Sequence, residues 1–149
     1  MKLHEFTPYR LSVLTNRISN LISRAYTDRF GISIPQWRVI AVLGEESGIT
    51  ATEVVQRTAM DKVAVSRAVR GLVKDRRVRR MASQQDGRVA KLKLTVKGYR
   101  IYDEIMPLAL GYEDAVLDPL TQRERRHLDG ILRKLSRRLD SLEVVTEVP

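Results

Sequence analysis

Apolar positions recur at steps of three and four residues along most of the chain, the spacing that places side chains on one face of a helix. The first such stretch predicts a helix from about 9 to 30, ended by Gly31. Two capping boxes, in which Ser or Thr is followed three residues later by Gln or Glu, then predict two short helices. These boxes are Ser33 with Gln36, and Thr50 with Glu53. The helix that begins after Ser33 is expected to close between Gly44 and Gly48.

The segment 62–75 predicts an amphipathic helix that Asp61 can cap. When it is wound at about 100° per residue, one side is apolar. That side carries Val65, Ala68, Val69, Leu72 and Val73. The opposite side carries hydroxyl and cationic groups: Lys62, Ser66, Arg67, Arg70 and Lys74.

From residue 78 to 94 the apolar period changes from helical to two, which predicts a β-hairpin around a polar turn. Asp86 and Gly87 are typical turn residues, and Arg88 follows at the tip. The flanking residues form a basic cluster, expected to contact phosphates: Arg76, Arg77, Arg79, Arg80, Lys91 and Lys93.

Two helices are predicted after the hairpin, with Pro107 expected to kink the first and Thr121 with Glu124 capping the second. Together they span about 96–142. Leucines then recur at alternating steps of four and three, which is typical of a coiled-coil seam. We expect this seam and the first helix to pair with a second copy of the chain, while packing within one chain is the alternative. The predicted dimer residues are Leu11, Leu14, Leu128, Leu132, Leu135, Leu139 and Leu142.

The balance of charge favours a polyanionic partner, because 27 Lys and Arg against 18 Asp and Glu give a formal net charge of +9. The chain has no cysteine, which excludes disulfides and thiolate metal sites and fits a reducing cytoplasm. No stretch approaches the ~20 apolar residues of a membrane helix. We therefore expect a cytoplasmic protein with no membrane partner.

Two short helices followed at once by a basic hairpin are typical of a winged helix-turn-helix, which binds double-stranded DNA. The polar side of 62–75 would enter the major groove, where Ser66, Arg67 and Arg70 could read base edges. Lys62 and Lys74 would lie nearer to phosphates, as would Lys91. In the wing, 78–94, Arg88 would enter the minor groove and Asp86 would orient the wing.

The ordered set of these segments resembles the MarR family, the multiple antibiotic resistance regulators. The matching stretches are 35–39, 60–67, 86–88 and 94–98. The resemblance implies a homodimer whose first and last helices interlock, a wing arginine in the minor groove, and an inverted-repeat operator. Gly87 departs from the family's common pattern, in which many members carry a second arginine at this position.

The resemblance further suggests a small aromatic or phenolic effector that releases a repressor from DNA. Its binding crevice could be lined by Arg17, Tyr26, Trp37 and Arg38, which offer an apolar wall and cations for a carboxylate.

We thus expect a mainly α protein with a small β-hairpin and one domain over 1–149, in which the DNA-binding lobe is about 34–95. No catalytic residues, metal ligands or cofactor are predicted, because His4 and His127 stand apart and no phosphate-binding loop occurs. The remaining alternative is a basic helical module that binds protein, RNA or acidic surfaces without base preference.

Overall fold

Helices make up most of residues 2–146, the part of the chain that the computed structural model describes. A short 3-10 turn, Leu3–Glu5, precedes the first helix. The elements follow in the order α1 Thr7–Ser23, α2 Thr27–Phe30, α3 Ile34–Glu45, β1 Ile49–Thr50, α4 Ala51–Thr58, α5 Lys62–Lys74, β2 Val78–Ala82, β3 Ala90–Leu94, α6 Val96–Leu117 and α7 Gln122–Thr146.

The predicted capping boxes begin α3 and α4. The Ser33 hydroxyl accepts the Gln36 amide at 3.2 Å, and the Gln36 side chain accepts the Ser33 amide at 3.0 Å. Thr50 and Glu53 repeat both bonds, at 3.2 and 2.7 Å. The bond from the Thr50 amide holds the pKa of the Glu53 carboxyl below its usual value. Local hydrogen bonds therefore fix where these two helices start.

The helix predicted over 9–30 is wrong as a continuous element, because it starts at Thr7 and is interrupted between Ser23 and Thr27. Tyr26 leaves helical geometry at φ −137° and is only 1% exposed. Burial of the Tyr26 ring in the core stabilises the fold, and an unbroken helix on the surface would lack this stabilisation. Gly31 ends α2 in the left-handed region, at φ 62°, as predicted.

The end of α3 at Glu45 lies within the predicted stretch from Gly44 to Gly48, and Gly44 itself lies in the last turn, opposite Tyr102 of α6. A Cβ at Gly44 would lie 2.5 Å from two carbons of the Tyr102 ring. The glycine therefore allows α6 to approach α3 closely.

The sheet has three antiparallel strands in the order β1-β3-β2, one more than the predicted hairpin. Val78 pairs with Leu94 and Ala82 with Ala90, which matches the predicted limits of the wing. The added strand pairs Ile49 with Leu92, and Ile49 is buried. This third strand joins the start of α4 to the base of the hairpin.

The described residues up to Tyr112 form one compact unit, and those from Glu113 onward form a second. The core of the first unit is made by one side each of α3 and α5, the strands and part of α6. Its most buried large side chains are Tyr26, Ile32, Ile40, Leu43, Leu72, Leu92 and Ile105.

The second unit consists of the end of α6 and the whole of α7. The Thr121 hydroxyl accepts the Glu124 amide at 3.2 Å, so the third predicted capping box also forms. On α7 the leucines of the seam from Leu132 onward are exposed, by 44–57%, whereas Leu128 is half-buried. Within this unit the seam therefore stays largely uncovered.

Candidate nucleic-acid interface

A tight turn sets the start of α5. Ala59 ends α4 in the left-handed region, at φ 52° and ψ 24°. Asp61 then accepts the amide of Val63 at 2.8 Å, the cap that the sequence predicts. The turn and the cap together determine the direction in which α5 leaves α4.

The two sides of α5 differ in exposure as the sequence predicts. Val65, Ala68, Val69 and Leu72 are 0–4% exposed and pack in the core. The five residues of the predicted reading side are all exposed: Lys62, Ser66, Arg67, Arg70 and Lys74. The helix is thus anchored by its aliphatic side and presents hydroxyl and guanidinium donors outward, as base-edge recognition requires.

The wing tip is shaped by Asp86. Its carboxylate accepts the backbone amide of Arg88 at 3.0 Å, and its carbonyl accepts the amide of Val89 at 3.0 Å. Asp86 therefore orders the backbone of the turn, and the bond to Arg88 does not involve the guanidinium. The Arg88 side chain is exposed.

Most of the predicted basic cluster borders the wing. Arg76, Arg79 and Arg80 are exposed, while Lys91 and Lys93 of β3 are half-buried. Arg79 pairs with Lys93 across the ladder, so two cations lie side by side on one face. Two like charges this close repel each other, and an anion bound between them relieves the repulsion. The pair therefore favours phosphate binding.

Arg77 corrects the prediction that the whole cluster contacts phosphates. Its Nη2 donates inward to the carbonyl of Phe30 at 2.6 Å, and its Nε and Nη1 are buried. The burial depends on α2, more than forty residues earlier, and no local pattern near Arg77 signals it.

A cavity of about 280 Å³ lies between α4, α5 and the hairpin. Its lining is mainly apolar and includes Val55, Val69 and Leu92. Lys62 and Arg80 add cationic groups to it. No sequence pattern indicates this cavity, because its walls come from three separate segments.

The four residues predicted for an effector crevice are only partly brought together. Tyr26 and Trp37 lie in the core with ring centroids 5.7 Å apart, and burial raises the pKa of Tyr26 to about 12. The Arg38 guanidinium acts weakly in the opposite direction on that pKa and donates to the Ser19 hydroxyl at 3.1 Å. Arg17 is exposed on α1. The crevice itself stays a prediction.

The fold and part of the sequence are similar to those of known proteins. A model described as the MarR family matches residues 30–89, which include the turn, α5 and most of the wing. The MarR/EmrR family regulator of Acinetobacter sp. ADP1 is 27% identical, covers 95% of this chain and 99% of its own, and superposes with a TM-score of 0.85. Over residues 30–89 the chain is therefore similar to the MarR family, and its whole fold is similar to that of a family regulator.

The chain has a winged helix fold, and the proteins that it resembles are DNA-binding transcriptional regulators. The regulator BilQ of Clostridium symbiosum is 26% identical over 78% of this chain and 81% of its own. A likeness in fold extends to BpsR of Bordetella bronchiseptica, whose DNA binding is regulated by 6-hydroxynicotinic acid. That structure is 21% identical, covers 91% of this chain and 96% of its own, and has a TM-score of 0.81. These relatives are regulators and not enzymes.

Residues 2–146 contain neither a membrane-spanning helix nor a metal-binding cluster. No helix there is both long enough and apolar enough to cross a membrane. The same residues contain no cluster of three or more His, Cys, Asp or Glu side chains suited to a metal ion.

Proposed function

We propose that this chain is a MarR-family homodimeric repressor that reads an inverted-repeat operator with α5 in the major groove and the wing in the minor groove. The observation that carries the proposal is the exposure of Ser66, Arg67 and Arg70 on a helix whose other side packs in the core. Guanidinium groups can bind guanine edges through two hydrogen bonds, and a short hydroxyl can bond to either purine.

The wing supplies the second part of the interface. Arg88 is a long cation at an ordered tip, suited to the negative potential of a narrow minor groove. Lys62, Lys74 and Lys91 contribute phosphate contacts, which position the protein without selecting a sequence. The DNA-binding lobe is the segment 34–95.

The dimer is formed by α1 and α7. Leu11 and Leu14 of α1 are 43% and 51% exposed, and Leu132, Leu135 and Leu139 of α7 are 45–57% exposed. Removal of such apolar area from water stabilises association by about 25 cal/mol per Å². Two-fold symmetry would then place two copies of α5 about 34 Å apart, one turn of DNA.

The effector is a small aromatic acid, as the regulation of BpsR by 6-hydroxynicotinic acid suggests by likeness of fold. The cavity beside α5 supports this proposal, because its apolar lining suits a ring and Arg80 or Lys62 suits a carboxylate. Ser66 also borders the cavity. A ligand held there would therefore compete with DNA for the reading side of α5.

The protein acts in the cytoplasm on chromosomal DNA and has no catalytic role. His4 and His127, the two histidines of the chain, are both exposed.

The test is selection of bound duplexes from a random pool, followed by competition binding at fixed salt. We expect a palindromic consensus that is preferred over random DNA by about a thousandfold or more. The control is a duplex of the same length and composition with one half-site scrambled. Equal affinity for all three duplexes would instead favour a basic module without base preference.

A further inference from the structure

Arg77 differs from the other cations near the wing because its guanidinium lies inside the protein. It donates one hydrogen bond, from Nη2 to the Phe30 carbonyl, while Nε and Nη1 are buried without a partner among the described residues. Arg77 takes part in none of the ion pairs formed within residues 2–146. A buried cation with so few partners does not stabilise a fold, so its presence points to another role.

The backbone at Arg77 is fixed to the end of α5. The Arg77 amide donates to the Leu72 carbonyl at 2.9 Å, and the Arg76 amide donates to the Val73 carbonyl at 3.0 Å. With Arg76 in the left-handed region at φ 56°, these bonds form a Schellman cap. A movement of Arg77 is therefore transmitted to the last turn of α5.

The start of α6 is fixed to the same two residues. The Thr95 amide donates to the Arg77 carbonyl at 3.0 Å, and the Thr95 hydroxyl donates to the Arg76 carbonyl at 2.6 Å. Gly98 packs against the Arg77 carbonyl so tightly that a Cβ would overlap it. The junction thus joins α5, β2 and α6, and the Arg77 side chain adds the end of α2.

We propose that Arg77 is a positioning residue for DNA reading, which holds α5 at a fixed orientation to α2 through the Phe30 carbonyl. The inference rests on the proposed function, because that orientation matters to DNA only if α5 reads bases. Hydrogen bonds to base edges need donors and acceptors within about 3 Å of each other. A small rotation of α5 would therefore weaken the contacts of Arg67 and Arg70 although neither residue is altered.

The test compares Arg77→Met, which keeps apolar bulk and removes the charge, with Arg77→Lys, which keeps the charge and an N–H donor for the Phe30 carbonyl. The control is Arg79→Met, which removes a neighbouring exposed cation. For each full-length dimer we would measure operator affinity at several salt concentrations and the melting temperature. The wild type is first tested for operator preference, so that failure of the proposed function is recognised separately.

Arg77→Met is expected to weaken operator binding about tenfold, comparable to the loss of one base contact. The salt slope of its affinity should equal that of the wild type, because a buried guanidinium neutralises no phosphate, whereas Arg79→Met should reduce the slope by about 1. The melting temperature of Arg77→Met should stay within about 4 °C of the wild type. Arg77→Lys should restore most of the affinity.

Three results would overturn the inference. The first is operator binding by Arg77→Met that is indistinguishable from the wild type. The second is a salt slope reduced as in Arg79→Met, which would make Arg77 a phosphate contact. The third is evidence for a structural role alone. Such evidence would be a large decrease in the melting temperature of Arg77→Met, or an Arg77→Lys variant that binds the operator as weakly as Arg77→Met.

Discussion

The turn between α4 and α5 predicts a stabilising substitution, Ala59→Gly. Ala59 has φ 52° and ψ 24°, a left-handed conformation in which a Cβ costs roughly 1–2 kcal/mol. Glycine removes that cost but loses about 0.5–1 kcal/mol more backbone freedom on folding. The net gain in the free energy of unfolding is therefore about 1 kcal/mol, which corresponds to a rise of about 3 °C in melting temperature for a chain of this size.

Urea unfolding of the dimer at fixed protein concentration measures this gain, with thermal melting as a second readout. Ala64→Gly is the matched control, because Ala64 lies within α5, where glycine should cost about 1 kcal/mol. The two variants should thus shift stability in opposite directions. If Ala59→Gly is destabilising to the same degree as Ala64→Gly, Ala59 is not left-handed and the described turn is incorrect.

Three further predictions concern the core, the dimer and the wing. Burial raises the pKa of Tyr26 from 10.0 to about 12. The stabilisation that the neutral Tyr26 side chain provides should therefore be complete below pH 10 and be lost as the pH rises toward 12. Ionisation of all five tyrosines together near pH 10 would contradict this expectation. Leu135→Glu should convert the dimer to a monomer in light scattering, whereas Lys134→Glu, which lies outside the leucine seam of α7, should not; two dimeric variants would place the interface elsewhere. Arg88→Ala should weaken operator binding and reduce the salt slope by about 1 with little change in base preference, and an unaltered slope would remove Arg88 from the phosphate-rich groove.

Features fixed by neighbouring residues could be predicted from the sequence. Ser33 and Thr50 each bond to residues three positions ahead, so the starts of α3 and α4 follow from local spacing. The limits of the wing follow from alternation and from the Asp86 turn. The aliphatic side of α5 follows from its period, because one stripe of a helix must be buried.

Features that depend on distant partners could not be predicted. The interruption of the first helix comes from burial of Tyr26 among core residues that the local sequence does not reveal. Ile49 reads as a loop residue until β3 offers it a partner at Leu92. Arg77 reads as one more surface cation, although the carbonyl of Phe30, 47 positions earlier, holds it inside. Each error arose where tertiary contacts outweighed a local pattern.

The reading side of α5 is tested most directly by substituting its two exposed arginines and repeating the duplex selection. Arg67→Ala and Arg70→Ala should each weaken operator binding by about 1–3 kcal/mol and relax the preference at particular base pairs, since each removes donors to base edges. Lys74→Ala, which removes an expected phosphate contact on the same helix, should weaken binding to all sequences about equally. If both arginine variants select the same operator as the wild type with unchanged affinity, α5 does not read the DNA sequence.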